Sequence, residues 1–240
     1  MREYSIFFDL DDTLYDRSEP FKRAFLEHFP DQAGIAQQAY WTCEKRGNEV
    51  FLPSQRGEIT MDEMYIYRYQ KGLADVGIMI TPEEALEYQG VYRERQKEIC
   101  LGTGVAELLD FCCANFRAVG LITNGPAEKQ KGKVRTLGLA RWIPEEKMLI
   151  SGVVGIDKPD PAIFHMAEEK AGTEPEKMIF VGDSIPNDIT PAYKLGWKTI
   201  FLNRKPKEQE FGGICPDLCL TAEEILSEEH IRKLFEHGVG

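Results

Sequence analysis

The chain has 240 residues, with 29 basic against 40 acidic side chains for a net charge of −11, and is 42% hydrophobic and 29% charged. This is enough chain for one α/β domain, or for one that carries a large insertion. The acidic balance disfavours the phosphate-tracking surfaces of duplex-binding proteins, and no apolar run approaches the roughly 18 residues that a membrane span needs. Small phosphorylated ligands stay open, because a bound divalent cation reverses the local sign. With Met1-Arg2-Glu3 leading straight into a strand pattern and no signal peptide, the expected location is the cytoplasm. The six cysteines lack zinc-site spacing, so reduced, mostly buried thiols are expected, the close pair Cys215 and Cys219 included.

Ser5-Ile6-Phe7-Phe8 is an apolar run with no polar face, the mark of a central strand in a parallel sheet covered on both sides. It breaks into Asp9-Leu10-Asp11-Asp12-Thr13, which sets three carboxylates at the strand's carboxyl end. In open α/β sheets that edge is where ligands bind. Aspartate is also a favoured turn residue, so the cluster alone reads equally well as a polar turn.

From about residue 16 to residue 98 the pattern is helical and charge-rich. Ser18 or Glu19 with Pro20 opens a helix whose stripe is Phe21, Phe25 and Phe29. Thr60 to Glu63 and Thr81 to Glu84 both fit the capping box. Some 80 residues are too many for a loop in a compact domain, which predicts a separate helical subdomain. Its aromatic residues, Tyr40, Trp41, Tyr65, Tyr67, Tyr69, Tyr88 and Tyr92, are read as its own core rather than as a substrate cage.

Beyond Gly102 helices alternate with short apolar strands, the βαβ signature. A helix over residues 105–114 precedes a strand at 118–122 that ends in Thr123-Asn124-Gly125, and a second helix runs to about Gly138. A strand at 148–150 leads into a loop, after which Asp160 and Pro161 start a helix through Glu169. A strand at 178–181 runs into Gly182-Asp183-Ser184-Ile185-Pro186-Asn187-Asp188, followed by a helix to Gly196, a strand at 198–202, and a last helix capped by Thr221 to Glu224. His28, His165, His230 and His237 fall in helical contexts, as surface or capping residues. There is no P-loop, HExxH or GxSxG motif.

Asp9-Leu-Asp11-Asp-Thr13, Ile122-Thr123-Asn124-Gly125, Lys158-Pro159 and Gly182-Asp183 to Asp188, in that order, resemble the four motifs of the haloacid dehalogenase superfamily. The resemblance implies a Rossmann-like α/β core made of residues 1–15 and 99–240, with residues 16–98 as an inserted helical cap. Its metal-free dehalogenases lack the second aspartate, so Asp11 favours phosphoryl chemistry. A phosphomutase of the β-phosphoglucomutase kind keeps all four motifs, and a catalytically silent binding protein would break one.

The residues suit phosphate monoester hydrolysis, which is very slow uncatalysed. Asp9 is the expected nucleophile and Asp11 the acid that protonates the leaving group and then activates water. A hard cation relieves the charge repulsion, and Asp9, the main-chain carbonyl of Asp11, and Asp183 supply oxygen ligands that point to Mg²⁺. Thr123, the amides of Asn124 and Gly125, and Lys158 face the phosphoryl oxygens. Asp188 orients metal-bound water or Lys158. Motif spacing and cap length resemble bacterial pyrimidine 5′-nucleotidases and, more loosely, phosphoglycolate phosphatases, which makes a nucleoside monophosphate the first substrate to consider among small phosphorylated metabolites. Tyr15, Asp16, Arg17 and Arg56 are candidates to meet the leaving group. Without coiled-coil heptads, a monomer or weak homodimer is expected.

Overall fold

The computed structural model describes residues 1–204, 213–221 and 224–236. It divides into two compact units, Met1–Asp16 with Cys100–Gly240, and Arg17–Ile99.

The first unit is built on a parallel sheet of β1 (Ser5–Phe8), β2 (Ala118–Thr123), β3 (Met148–Ile150), β4 (Met178–Gly182), β5 (Lys198–Leu202) and β6 (Leu218–Leu220). The strands lie in the order β3-β2-β1-β4-β5-β6. The apolar β1 run is buried along its whole length, as a strand covered on both faces must be. Phe8 sits in register with Leu121 of β2 and Val181 of β4. The strand order therefore reverses at β1, and the residues that follow β1, β2 and β4 emerge side by side at the edge where such sheets bind ligands. Phe7, Ile122, Phe164, Phe180 and Trp197 form the packed layer beneath that edge.

In the second unit α1 (Ser18–His28), α2 (Ala36–Gln55), α3 (Met61–Ala74) and α4 (Pro82–Arg95) enclose an aromatic core. The ring of Phe21 lies 5.5, 5.4 and 5.9 Å from those of Tyr40, Tyr88 and Tyr92, within the range of favourable edge and tilted pairs. Helices α2 and α3 meet at Gly72, where a Cβ would stand 2.5 Å from the Cα of Cys43, so glycine sets how closely the two can pack. Both capping boxes form: the hydroxyls of Thr60 and Thr81 accept from the amides of Glu63 and Glu84, whose carboxylates accept from the threonine amides. Arg68 of α3 ion-pairs with Glu44 of α2, which also takes Arg17 at 2.6 Å. The Arg68 guanidinium carbon lies 5.4 and 5.8 Å from the ring centres of Tyr69 and Tyr92, and its buried Nε has no hydrogen-bond partner among the described residues.

The sheet is flanked by α5 (Val105–Asn115), α6 (Ala127–Thr136), α7 (Ser151–Val154), α8 (Pro161–Ala171), α9 (Thr190–Lys194) and α10 (Glu228–Glu236). Asp160 caps α8 by accepting from the amide of Ala162, with Pro161 in the first turn. Three expectations need correction, and one further strand is present. The segment after β3 forms the short helix α7 rather than a loop. The strand β6 is too short for a periodicity to show. Thr221 donates from its amide and hydroxyl to Glu224 at 2.8 Å each, but α10 begins only at Glu228, with Ser227 and His230 bonded at its start. Of the six free thiols, Cys43 and Cys112 are buried and the other four, Cys215 and Cys219 among them, are exposed. The His28 ring donates from Nδ1 to the Ala24 carbonyl and His165 pairs with Glu168, while His237 lies outside the described residues. Among the described residues no helix is long and apolar enough to cross a membrane.

Candidate active site

Because β1, β2 and β4 are neighbours, Asp9, Thr123 and Asp183 arrive together at one sheet edge. The Asp9 amide donates to the Val181 carbonyl at 2.9 Å, which extends the β1–β4 pairing by one residue and fixes where the Asp9 side chain leaves the sheet. The following turn is tight: the Leu14 amide donates to the Leu10 carbonyl, and Asp12 takes left-handed backbone with φ 60°, a conformation aspartate tolerates better than most residues.

Lys158 is the hub. Its Nζ donates to Asp9 Oδ1 at 2.7 Å and to Asp188 Oδ1 at 2.6 Å, with all three side chains buried. The loop that carries it is held at the backbone, where the Asn124 side chain donates to the Lys158 carbonyl and accepts from the Lys158 amide, both at 2.8 Å. The Asn124 side chain is thus committed to positioning Lys158. The peptide bond between Lys158 and Pro159 is cis.

Carboxylate oxygens of Asp9, Asp183 and Asp188 lie within 4.8 Å of one another, all on buried residues. Asp188 has both oxygens engaged, one by Lys158 and the other by the Ser184 amide at 3.0 Å. A Cβ on Gly182 would stand 2.4 Å from that second oxygen, so the end of β4 has to be glycine for the carboxylate to come so near. On Asp9, by contrast, Oδ2 has a long contact of 3.4 Å from the Thr13 hydroxyl. Burial pushes the Asp9 carboxyl up to about 8 despite the opposing pull of Lys158, with Asp188, Asp11 and Asp183 adding to the rise. For Lys158 burial acts downward, but the charges and hydrogen bonds of Asp188 and Asp9 outweigh it and hold the ammonium above its ordinary value. Three buried carboxylates around one ammonium form a hard-oxygen donor set with excess negative charge, which fits a small divalent cation.

Thr123 is 1% exposed, and its hydroxyl accepts from Gln130 Nε2 at 2.6 Å, which leaves the O–H hydrogen to donate. The Gly125 amide is taken by Ser151 Oγ at 2.9 Å. Asp11 stands beside this group with its carboxylate gripped from several sides: Lys133 Nζ donates to its two oxygens at 2.6 and 2.8 Å, Gln130 Nε2 donates to Oδ2 at 3.1 Å, and the Tyr15 hydroxyl donates to Oδ1.

The haloacid dehalogenase-like hydrolase profile matches residues 5–196. The chain belongs to the haloacid dehalogenase-like hydrolases. Among relatives, it is 30% identical to the phosphoserine phosphatase of Thermus thermophilus across 88% of this chain and 92% of that one. It is 28% identical to the pyrimidine 5′-nucleotidase YjjG of Escherichia coli, over 86% and 89%. Among solved structures of this fold, the HAD-hydrolase YfnB of Bacillus subtilis superposes with a TM-score of 0.66 at 22% identity over 98% of both chains. The L-2-haloacid dehalogenase of Xanthobacter autotrophicus gives 0.65 at 14% over 98% and 99%.

Within this hydrolase, Lys133, Gln130 and Arg204 escape a motif-based reading. Burial lowers the Arg204 guanidinium, against the pull of Asp16, Asp12 and Asp183, which places a further cation at the acid-rich edge. Gln130 and Lys133 are three apart on α6, hence on one face, and that helix directly follows the Thr123 motif. That spacing is the one signal that marks them. Arg17 is occupied by Glu44 and Tyr40, and Arg56 is largely exposed beside Glu58.

Proposed function

We propose that this protein is a Mg²⁺-dependent phosphatase that hydrolyses a small phosphomonoester through an aspartyl-phosphate on Asp9. The observation that carries the reading is the buried Asp9, with one oxygen on Lys158 and a carboxylate oxygen within 4.8 Å of those of Asp183 and Asp188, next to an Asp11 held by its own donors. In the first step an Asp9 oxygen attacks phosphorus, the ester P–O bond breaks, and the departing oxygen takes a proton from the Asp11 carboxyl to leave as an alcohol. In the second, water attacks phosphorus and gives its proton to the Asp11 carboxylate. The P–O bond to Asp9 then breaks, releasing inorganic phosphate and restoring both groups. Lys158 and the Thr123 hydroxyl hold the phosphoryl oxygens, and Asn124 keeps Lys158 in place.

Asp9, Asp183 and the Asp11 carbonyl would hold Mg²⁺, which when bound neutralises phosphoryl charge and orients the ester. Asp188, with both oxygens spent, keeps Lys158 in line. The helical unit, residues 17–99, is read as the cap that selects the leaving group. Relatives named for phosphoserine and for a pyrimidine nucleotide support a small organic ester, and a nucleoside 5′-monophosphate is the substrate proposed first.

The test is phosphate release from p-nitrophenyl phosphate with and without Mg²⁺, alongside Asp9→Asn, followed by a panel that includes nucleoside monophosphates and phosphoserine ranked by kcat/KM. Wild-type turnover no better than Asp9→Asn would overturn the enzyme reading. Isomer formation in place of free phosphate would mark a phosphomutase.

A further inference from the structure

We propose that Lys133 is a positioning residue for proton transfer, fixing through Asp11 the carboxyl group that serves the leaving oxygen. This rests on the reading of Asp11 as acid and base. The two contacts from Lys133 Nζ, at 2.6 and 2.8 Å, span both Asp11 oxygens and so fix the plane of the carboxylate rather than merely its location. Both side chains are more than four-fifths buried, which keeps the pair from being averaged away by solvent. The ammonium lies 5.8 Å from the centre of the Tyr15 ring, whose hydroxyl donates to the same carboxylate, so the lysine is braced from the side as well.

The neighbouring Gln130 ties this pair to the phosphate end of the site. It is 1% exposed, and its Nε2 lies 3.1 Å from Asp11 Oδ2, 2.6 Å from Thr123 Oγ1 and 3.1 Å from the Asn124 carbonyl. One helix face thereby sets the spacing between the group that moves the proton and the hydroxyl that faces the phosphoryl oxygens. An ordinary surface lysine would show one exposed carboxylate partner and no such link.

A structural role and a proton-transfer role separate by leaving group. A p-nitrophenolate departs without a proton, whereas an alkoxide needs one, and kcat/KM reports the step in which it leaves. With Mg²⁺ present, Lys133→Met is expected to lower kcat/KM for glycerol 2-phosphate by roughly 10- to 100-fold more than for p-nitrophenyl phosphate, a fraction of a full general-acid contribution. Lys133→Arg, which keeps two-point contact, recovers most of that ratio. On an Asp11→Asn background Lys133→Met adds no further selectivity, because the two act through one group. Equal losses on both esters, or an additive effect on Asp11→Asn, would overturn the proposal. Turnover surviving in Asp9→Asn would instead overturn the phosphoenzyme reading, whatever Lys133 does.

Discussion

Lys158 in the sheet unit and Arg68 in the helical unit are both cations largely withdrawn from water, and their surroundings differ in the sign left over. Lys158 meets Asp9 and Asp188 directly, with Asp183 close by, so carboxylates outnumber ammonium. Around Arg68 the balance reverses: Glu44 serves both Arg68 and Arg17, and tyrosine faces cover the rest. Aromatic faces dissipate a positive excess inside a packed core without inviting a ligand. A negative excess on a sheet edge is instead the kind of surrounding that the proposed divalent cation would complete.

The largest expected effect tests the sheet side of that contrast. Asp9→Asn should lower kcat by roughly 10⁴- to 10⁶-fold, the scale of losing a nucleophile, with the circular-dichroism spectrum unchanged. Removing each cation then compares the two surroundings. Lys158→Met strands the buried Asp188 carboxylate, removes the donor to Asp9, and should cost about 3–5 kcal/mol in denaturant unfolding without metal. Arg68→Met leaves Glu44 its partner Arg17 and should cost about 1–3 kcal/mol. Equal costs would erase the distinction.

Metal and pH sharpen it further. Without metal, Asp9 titrates near 8 in the folded chain against 3.8 as its reference value, so between those values the native state holds a proton that the unfolded state has given up. Its contribution therefore makes the chelator-treated protein less stable as pH rises from about 4 to about 8. Lys158, raised in the fold, contributes its share at neutral pH and loses it only in strong alkali. Mg²⁺ should flatten the slope and stabilise the fold by about 2.7 kcal/mol at a hundred times its Kd, read as a thermal midpoint at several pH values. The smallest effect is local: Thr60→Ala removes one capping box of the helical unit and should cost about 1 kcal/mol with the sheet-side chemistry intact.

Much of this is legible in the sequence. β1 announces itself by an unbroken apolar run, α3 and α4 by their threonine and glutamate pairs, and the candidate site by aspartates that follow strands. Lys133 and Gln130 were not legible, since they lie 122 and 119 residues from Asp11 and resemble any solvated helix face until the fold closes. Nor was the start of the last helix, which lies at Glu228 although Thr221 and Glu224 carry the capping pattern and bond to each other. Local patterns report local hydrogen bonds well. Partners brought together by sheet topology leave no periodic trace.

The Gly102 amide donates to the Leu14 carbonyl at 2.9 Å, so the chain leaves the sheet unit and re-enters it through one backbone-clasped neck. Closing a loop grows costlier only with the logarithm of its length. The neck thus makes the sheet unit indifferent to how long the intervening segment is. Replacement of residues 17–99 by a shorter bridge or by a different helical bundle becomes a tractable graft, one that would exchange the proposed selecting element while leaving the residues at the sheet edge where the strands put them.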